Sequence, residues 1–99
     1  MADKRLDIHP AALEELKRAV SWYVERTERA AIKFVAEIDK AVKLIAESPS
    51  RWPTGEHATR KFVLRRFPFA VIYREKQSVI EVLAIAHGHR RPSYWKDRV

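Results

Sequence analysis

The chain has 99 residues, of which 46% are hydrophobic, with no cysteine and a formal net charge of +7. These values predict one folded domain over residues 1–99 with no enclosed cofactor cavity, and they exclude a disulfide framework and a thiolate metal site. No apolar run reaches the roughly 18 residues that a membrane-spanning helix needs, and no signal-peptide pattern follows the first methionine. We therefore expect a cytoplasmic protein without a membrane partner.

The N-terminal half predicts one short strand and two helices. Polar and apolar side chains alternate over Lys4–Ile8, which indicates a strand, and Pro10 then suits the first turn of a helix. Apolar residues recur at helical spacing from Leu13 to Ile45. A single helix of that length would leave much of its apolar stripe unburied in so small a domain. We therefore predict two antiparallel helices that break near residues 26–29, with Thr27 capping the second.

The C-terminal half predicts a loop and then three strands. Residues 48–60 contain two prolines and a glycine, which is typical of a loop. The strands that follow are β-branched and aromatic runs joined by connections short enough for hairpins, over residues 61–65, 69–74 and 78–87. The predicted fold class is therefore α+β, with a helical hairpin packed on one face of a small antiparallel sheet, in the order β-α-α-β-β-β.

The last predicted strand is apolar on both faces, which is typical of a central strand. Strict alternation would turn its even-numbered side chains, including Ala84 and Ala86, toward the helices. The same alternation would place His87 and His89 on the opposite face.

The positive charge is concentrated at the C-terminal end. Residues 60–99 contain ten Lys or Arg and three Asp or Glu, which gives a net charge of +7. Residues 1–59 contain ten basic and ten acidic residues, so their net charge is zero. A concentrated positive field favours a nucleic acid or an acidic protein as the partner. The simpler alternative is that the basic surface only keeps the protein soluble and binds no partner.

Two C-terminal motifs carry a resemblance to a known superfamily. Residues 65–74 read Arg-Arg-Phe-Pro-Phe-Ala-Val-Ile-Tyr-Arg, and the hydrophobic run that starts at Val82 ends in His-Gly-His-Arg-Arg-Pro, followed by Tyr94 and Trp95. With the order of elements, these motifs resemble the RelE/ParE superfamily of type II toxin–antitoxin toxins, the plasmid stabilisation type. The His-Gly-x-Arg-Arg-Pro pattern is closer to the ParE branch.

The resemblance implies a toxin that inhibits bacterial growth and is neutralised by an acidic antitoxin in a hetero-oligomer. It leaves the target open. ParE-like members poison DNA gyrase, whereas RelE-like members cut messenger RNA on the ribosome without a metal. We rank gyrase poisoning first, RNA cleavage second and a basic binding module without catalysis third, and we expect neither a cofactor nor a metal.

The resemblance also names candidate site residues. In an RNase, Arg66 and Arg90 would stabilise the anionic transition state and His87 or His89 would move protons. The alternative for both histidines is a structural role at the strand end. A metal bound with His57 is disfavoured, because no carboxylate or further ligand lies nearby in sequence. The candidate nucleic-acid or partner-binding residues are basic or aromatic: Lys61, Arg66, Arg74, Arg90, Arg91, Tyr94 and Trp95.

The sequence predicts the roles of two tryptophans less clearly than those of the basic residues. Trp95 falls in an irregular segment, where it could stack on a base or a partner, or instead cover the edge of the core. Trp22 lies off the main apolar stripe of its helix and is a candidate partner contact.

Overall fold

The computed structural model describes residues 4–99, which form two helices against one four-stranded sheet. Helix α1 spans Pro10–Arg26 and helix α2 spans Glu28–Glu47, so one residue, Thr27, separates them. Its backbone is extended (φ −155°, ψ 134°), and its hydroxyl accepts a hydrogen bond from the Ala30 amide at 3.0 Å. A single extended residue thus ends one helix and caps the next. The predicted break and cap are confirmed.

The sheet has the order β1-β4-β3-β2. Its strands are β1 (Arg5–Ile8), β2 (Arg60–Val63), β3 (Phe69–Glu75) and β4 (Val79–His87). The three later strands pair antiparallel, as predicted, whereas β1 pairs parallel to β4, so the sheet is mixed. The predicted fold class and the β-α-α-β-β-β order are confirmed.

A bulge interrupts β4 at its midpoint. Tyr73 of β3 pairs with Val82, but the preceding residue, Ile72, pairs with Ala84, which leaves Leu83 as an extra residue. One inserted residue shifts the alternation of side chains, so residues beyond it face the opposite side of the sheet.

The bulge overturns the predicted faces of the second half of β4. Ile85 lies in the core beneath the helices, and the His87 ring packs edge-on against Phe69 on the same side, at 5.0 Å between ring centroids. Ala84 and Ala86 lie on the opposite face. The expectations that even-numbered residues face the helices throughout, and that His87 faces away, are therefore wrong. The sequence pattern does not reveal the extra residue.

Both faces of the central strands are covered. The larger core lies between the helices and the sheet, and its fully buried members include Phe34, Ile45, Val71, Tyr73, Ile80 and Val82. On the other face, Trp95 is 7% exposed and covers a smaller cluster of Ala70, Ile72, Leu83 and Ala84. The C-terminal segment, residues 88–99, therefore closes the second face, and Trp95 covers the core. None of the helices in the described residues 4–99 combines the length and the hydropathy of a membrane-spanning segment.

Candidate functional site: a basic cleft held by a buried carboxylate

Glu15 of α1 anchors the C-terminal segment. The residue is 8% exposed. Its Oε1 accepts hydrogen bonds from the Ile85 amide at 3.0 Å and from Arg98 Nη1 at 2.9 Å. Its Oε2 accepts from the Tyr94 hydroxyl at 2.7 Å and from Arg98 Nη2 at 3.0 Å. The guanidinium therefore binds the carboxylate through both of its oxygens, the geometry in which an Arg–carboxylate pair is strongest.

The surroundings of this carboxylate keep it ionised. Burial opposes its charge, but hydrogen bonds from Arg98, Tyr94 and Ile85 outweigh burial and hold the pKa of Glu15 below its ordinary value. Burial and the bond to Glu15 together raise the pKa of the Tyr94 hydroxyl, which stays protonated and donates. Helix α1, strand β4 and the C-terminal segment are thus joined by hydrogen bonds to the carboxylate of Glu15.

Tyr94, which is held by Glu15, in turn contacts Arg90. The Arg90 guanidinium lies 3.8 Å from the centroid of the Tyr94 ring, and the Arg98 guanidinium lies 5.1 Å from the same centroid. A guanidinium over a tyrosine ring is attracted by the negative face of the ring. The buried Glu15 therefore helps to hold Arg90 at the surface through Tyr94.

Arg90 stands at the edge of a cleft on the sheet face opposite the helices, here called the sheet-face cleft. The cleft has a volume of about 500 Å³ and lies between the turn at residues 55–59 and the C-terminal segment. It brings together six of the predicted site residues: Lys61, His87, Arg90, Arg91, Tyr94 and Trp95. Glu56 adds one acid to three cations, so the cleft is suited to an anionic partner.

The backbone is strained on both walls of this cleft. His57 and Ala58 each have φ of 57° on one wall, and Ser93 has φ of 56° on the other. Left-handed backbone is unfavourable for residues other than glycine and is often found at functional sites. The His57 and Trp95 rings meet edge-on at 5.9 Å and connect the two walls.

Two of the predicted arginines lie outside the cleft. Arg66 lines a groove between α2 and β2 on the helix side, where its backbone amide donates to Glu37 Oε2 at 3.4 Å. Arg74 donates from Nε to Glu81 Oε1 at 2.9 Å and forms a partly buried salt bridge. The structure therefore does not bring Arg66 to Arg90.

The two histidines at the end of β4 contact each other. Their rings are 5.0 Å apart, and the His89 amide donates to His87 Nδ1 at 3.0 Å. His87 lies between the sheet-face cleft and a second groove beside α1, whereas His89 is exposed in the turn. Among residues 4–99 no group of three His, Cys, Asp or Glu side chains could hold a metal ion.

The roles of Glu15 and Arg98 were not predicted from the sequence. One signal was present: Ala12, Glu15 and Ala19 follow one another at helical spacing, and all three are buried. A carboxylate within a buried stripe requires a partner, because burying an unpaired charge is costly. The identity of that partner was not visible, since Arg98 is 83 positions away in sequence.

A helical hairpin on a four-stranded sheet, in the order β-α-α-β-β-β, is the architecture of the RelE/ParE fold. A family model described as "ParE toxin of type II toxin-antitoxin system, parDE" matches residues 6–92. The chain therefore belongs to the ParE toxin family.

Individual relatives agree with the family match. The chain is 33% identical over 93 residues to the candidate toxin Y4kP of Sinorhizobium fredii, an alignment that covers 92% of this chain and 95% of the relative. It is 28% identical over 92 residues to toxin ParE2 of Mycobacterium tuberculosis, covering 91% and 87%. A solved structure described as the chromosomal ParDE toxin–antitoxin system from P. aeruginosa is similar with a TM-score of 0.75 and 25% identity, covering 85% and 95%.

Proposed function

We propose that this protein is a single-domain cytoplasmic toxin that inhibits bacterial growth by poisoning DNA gyrase, and that an acidic antitoxin neutralises it. The observation that carries the choice of target is the separation of Arg66 from Arg90. RNA cleavage would need both cations near one phosphate, because a cation stabilises the transition state only where negative charge develops. The match to the ParE family supports the same choice.

An antitoxin partner is supported by charge and by similarity. The structure from P. aeruginosa is described as a ParDE toxin–antitoxin system, and this chain carries a net charge of +7. An acidic antitoxin segment would associate rapidly with such a surface and would order as it bound. We propose that this segment covers the sheet and the gap beside the helices in a hetero-oligomer.

Expression of the protein alone is expected to slow bacterial growth, and co-expression of its antitoxin to restore it. A gyrase poison induces the DNA-damage response and, when purified, stops supercoiling of relaxed plasmid by gyrase. Messenger RNA on purified ribosomes should remain intact. Cleaved messenger RNA with undiminished supercoiling would contradict the proposed target, and normal growth with folded protein accumulating would contradict the toxin function itself.

Arg90→Ala tests the second candidate, RNA cleavage, which the presence of His87 and Arg90 in one cleft favours. If the cleft is catalytic, this variant should lose roughly a hundredfold to a thousandfold in cleavage rate and much less in binding. If gyrase is the target, we expect the folded variant to remain toxic. Growth inhibition by the variant, with circular dichroism to confirm folding, distinguishes the outcomes. Lys61→Ala is the matched control, because a more remote cation should mainly weaken encounter and its salt dependence.

A further inference from the structure

A second basic surface lies on the helix side of the sheet, in the groove between α2 and β2. This groove, here called the α2–β2 groove, has a volume of about 660 Å³. Four exposed cations line it, two on α2 and two in the segment that follows β2: Lys33, Lys40, Arg65 and Arg66. Glu37 is the one acid among the described residues that line the groove, so four cations and one acid leave a net charge of +3.

The positive charge of the α2–β2 groove is not neutralised by neighbouring acids. None of its four cations takes part in a salt bridge within the described part of the chain, residues 4–99. Glu37 Oε2 accepts a hydrogen bond from the Arg66 backbone amide at 3.4 Å but forms no salt bridge with the Arg66 guanidinium. Exposed cations that converge on one groove without counterions attract an anionic ligand.

The spacing of the cations suits a strand of regularly placed negative charges. Lys33 and Lys40 are seven residues apart on α2, which puts them on the same face and about 10 Å apart along the helix axis. One strand of duplex DNA has a phosphate about every 3.4 Å along its axis, so this distance corresponds to about three phosphates. Arg65 and Arg66 on the other wall can each bind a phosphate through two parallel hydrogen bonds.

The backbone around the α2–β2 groove favours a phosphodiester over a peptide. An extended peptide binds through main-chain hydrogen bonds to an open strand edge. One wall of this groove is a helix, and on the other wall the Leu64 amide donates to the Phe69 carbonyl at 2.9 Å and the Arg66 amide donates to Glu37. A phosphodiester needs only donors, and the side chains of lysine and arginine supply only donors.

The floor of the groove favours a duplex over a single strand. Proteins hold single strands by stacking the bases on aromatic side chains. Phe62, the aromatic residue that lines this groove, is half-buried and packs against Trp52, with 4.8 Å between the ring centroids. Leu44 and Leu64 supply further apolar floor without a stacking surface. A duplex needs no such surface, because its bases remain stacked on one another.

We propose that the α2–β2 groove binds the phosphodiester backbone of duplex DNA, without selecting a base sequence. The choice of DNA rests on the proposed function, since gyrase acts on duplex DNA and a toxin that grips the same duplex is held beside the enzyme. The groove lies on the opposite side of the sheet from the sheet-face cleft and shares no lining residue with it. DNA binding and the chemistry considered for the sheet-face cleft are therefore separable by mutation.

Titration of a short, fluorescently labelled DNA duplex of mixed sequence with the full-length protein tests this inference. Binding is followed by fluorescence anisotropy at several salt concentrations. The variant Lys40→Ala with Arg65→Ala removes one cation from each wall. We expect it to bind at least about tenfold more weakly at low salt, and the slope of log K against log salt concentration to decrease by about 1.8, since each phosphate contact contributes about 0.9.

Lys17→Ala with Arg18→Ala is the matched control. It removes the same two types of side chain from neighbouring exposed positions on α1, which do not line the groove. The salt slope of this variant should change by less than about 0.5, because cations far from the phosphates are screened. Circular dichroism confirms that both double variants are folded. Equal losses in the two variants would mean that DNA responds only to the overall charge of the protein and would overturn the inference.

Three further results would also contradict it. A larger loss in Arg91→Ala than in the groove variant would place the DNA in the sheet-face cleft. Tighter binding of a single-stranded RNA or of a polyglutamate peptide than of the duplex, through the same groove cations, would identify a different occupant. Absence of duplex binding by the wild type at low salt would leave the groove without the proposed ligand.

This inference and the proposed function can fail separately, because duplex binding is measured without gyrase, antitoxin or cells. A protein that binds duplex DNA through the α2–β2 groove but leaves supercoiling by gyrase unaffected would keep the DNA site and lose gyrase as its target. A protein that stops supercoiling but binds DNA equally well in both double variants would keep its target and lose this site.

Discussion

Glu15→Gln is expected to destabilise the protein by about 3–5 kcal/mol, the usual cost of removing one partner from a buried ion pair. Glutamine keeps the size of the side chain but loses its charge and one accepting oxygen, and it leaves the partly buried Arg98 guanidinium without a counterion. Native proteins are stable by only about 5–15 kcal/mol, so the loss is a large fraction of the total. Urea unfolding followed by circular dichroism measures it.

Glu14→Gln is the matched control for this experiment. Glu14 is the preceding residue of α1 and is exposed, so neutralising it should change stability by no more than about 0.5 kcal/mol. Equal unfolding midpoints for the two variants would show that the Glu15 contacts contribute little to stability.

The pH dependence of stability provides a separate readout of the same contact. The folded-state pKa of Glu15 lies below its ordinary value of 4.5, so its stabilising contribution is complete above that value and is lost as the pH falls through the lower folded value. The difference in unfolding free energy between the wild type and Glu15→Gln should therefore shrink on acidification below about pH 4.5. A constant difference down to pH 3 would contradict this account.

Trp95→Ala is expected to cost about 3–5 kcal/mol, as do other truncations of large buried aromatic residues. The indole covers Ala70, Ile72 and Ala84, so its removal leaves a cavity over the second face of the sheet. Loss of this cover should expose the second face of the sheet and abolish toxicity by unfolding. The unfolding temperature and the growth inhibition should therefore both decrease in this variant.

Trp22→Ala is the comparison for Trp95, because it removes the same side chain from an exposed position. Trp22 is 50% exposed on α1, with the Arg26 guanidinium 3.7 Å from its ring centroid. We expect this variant to remain folded, with a loss of stability under about 1 kcal/mol. If both variants unfold at the same urea concentration, the assignment of Trp95 to the core is wrong.

The elements that sequence analysis predicted correctly depend on short-range signals. The break at Thr27 follows from a hydroxyl residue near the middle of a periodic pattern too long to bury as one helix. The strands follow from β-branched runs between turn residues. Each of these signals lies within a few residues of its effect, so a single sequence contains it. The bulge at Leu83 has no such signal, because its cause is the pairing with β3.

Less of the candidate site than of the fold was predicted from the sequence. The site depends on contacts between residues far apart in sequence and on the direction in which the chain turns after β2. Lys61, Arg90 and Arg91 meet in the sheet-face cleft, as expected of a basic C-terminal region. Arg66 does not join them, because β2 ends at Val63 and the chain then turns toward α2. The partners of Glu15 are 70, 79 and 83 positions away, beyond the reach of any local pattern.

The contact between Glu15 and Arg98 has a practical consequence for making the protein. A chain whose synthesis stopped before residue 98 would still form α1 but would bury a carboxylate with no cation to meet it. The C-terminal segment would then lose its anchor, and the apolar second face of the sheet would be open to aggregation. Premature termination should therefore yield insoluble fragments, not a shortened toxin. Affinity tags for purification are better placed at the N-terminus, away from Arg98, whose guanidinium pairs with Glu15.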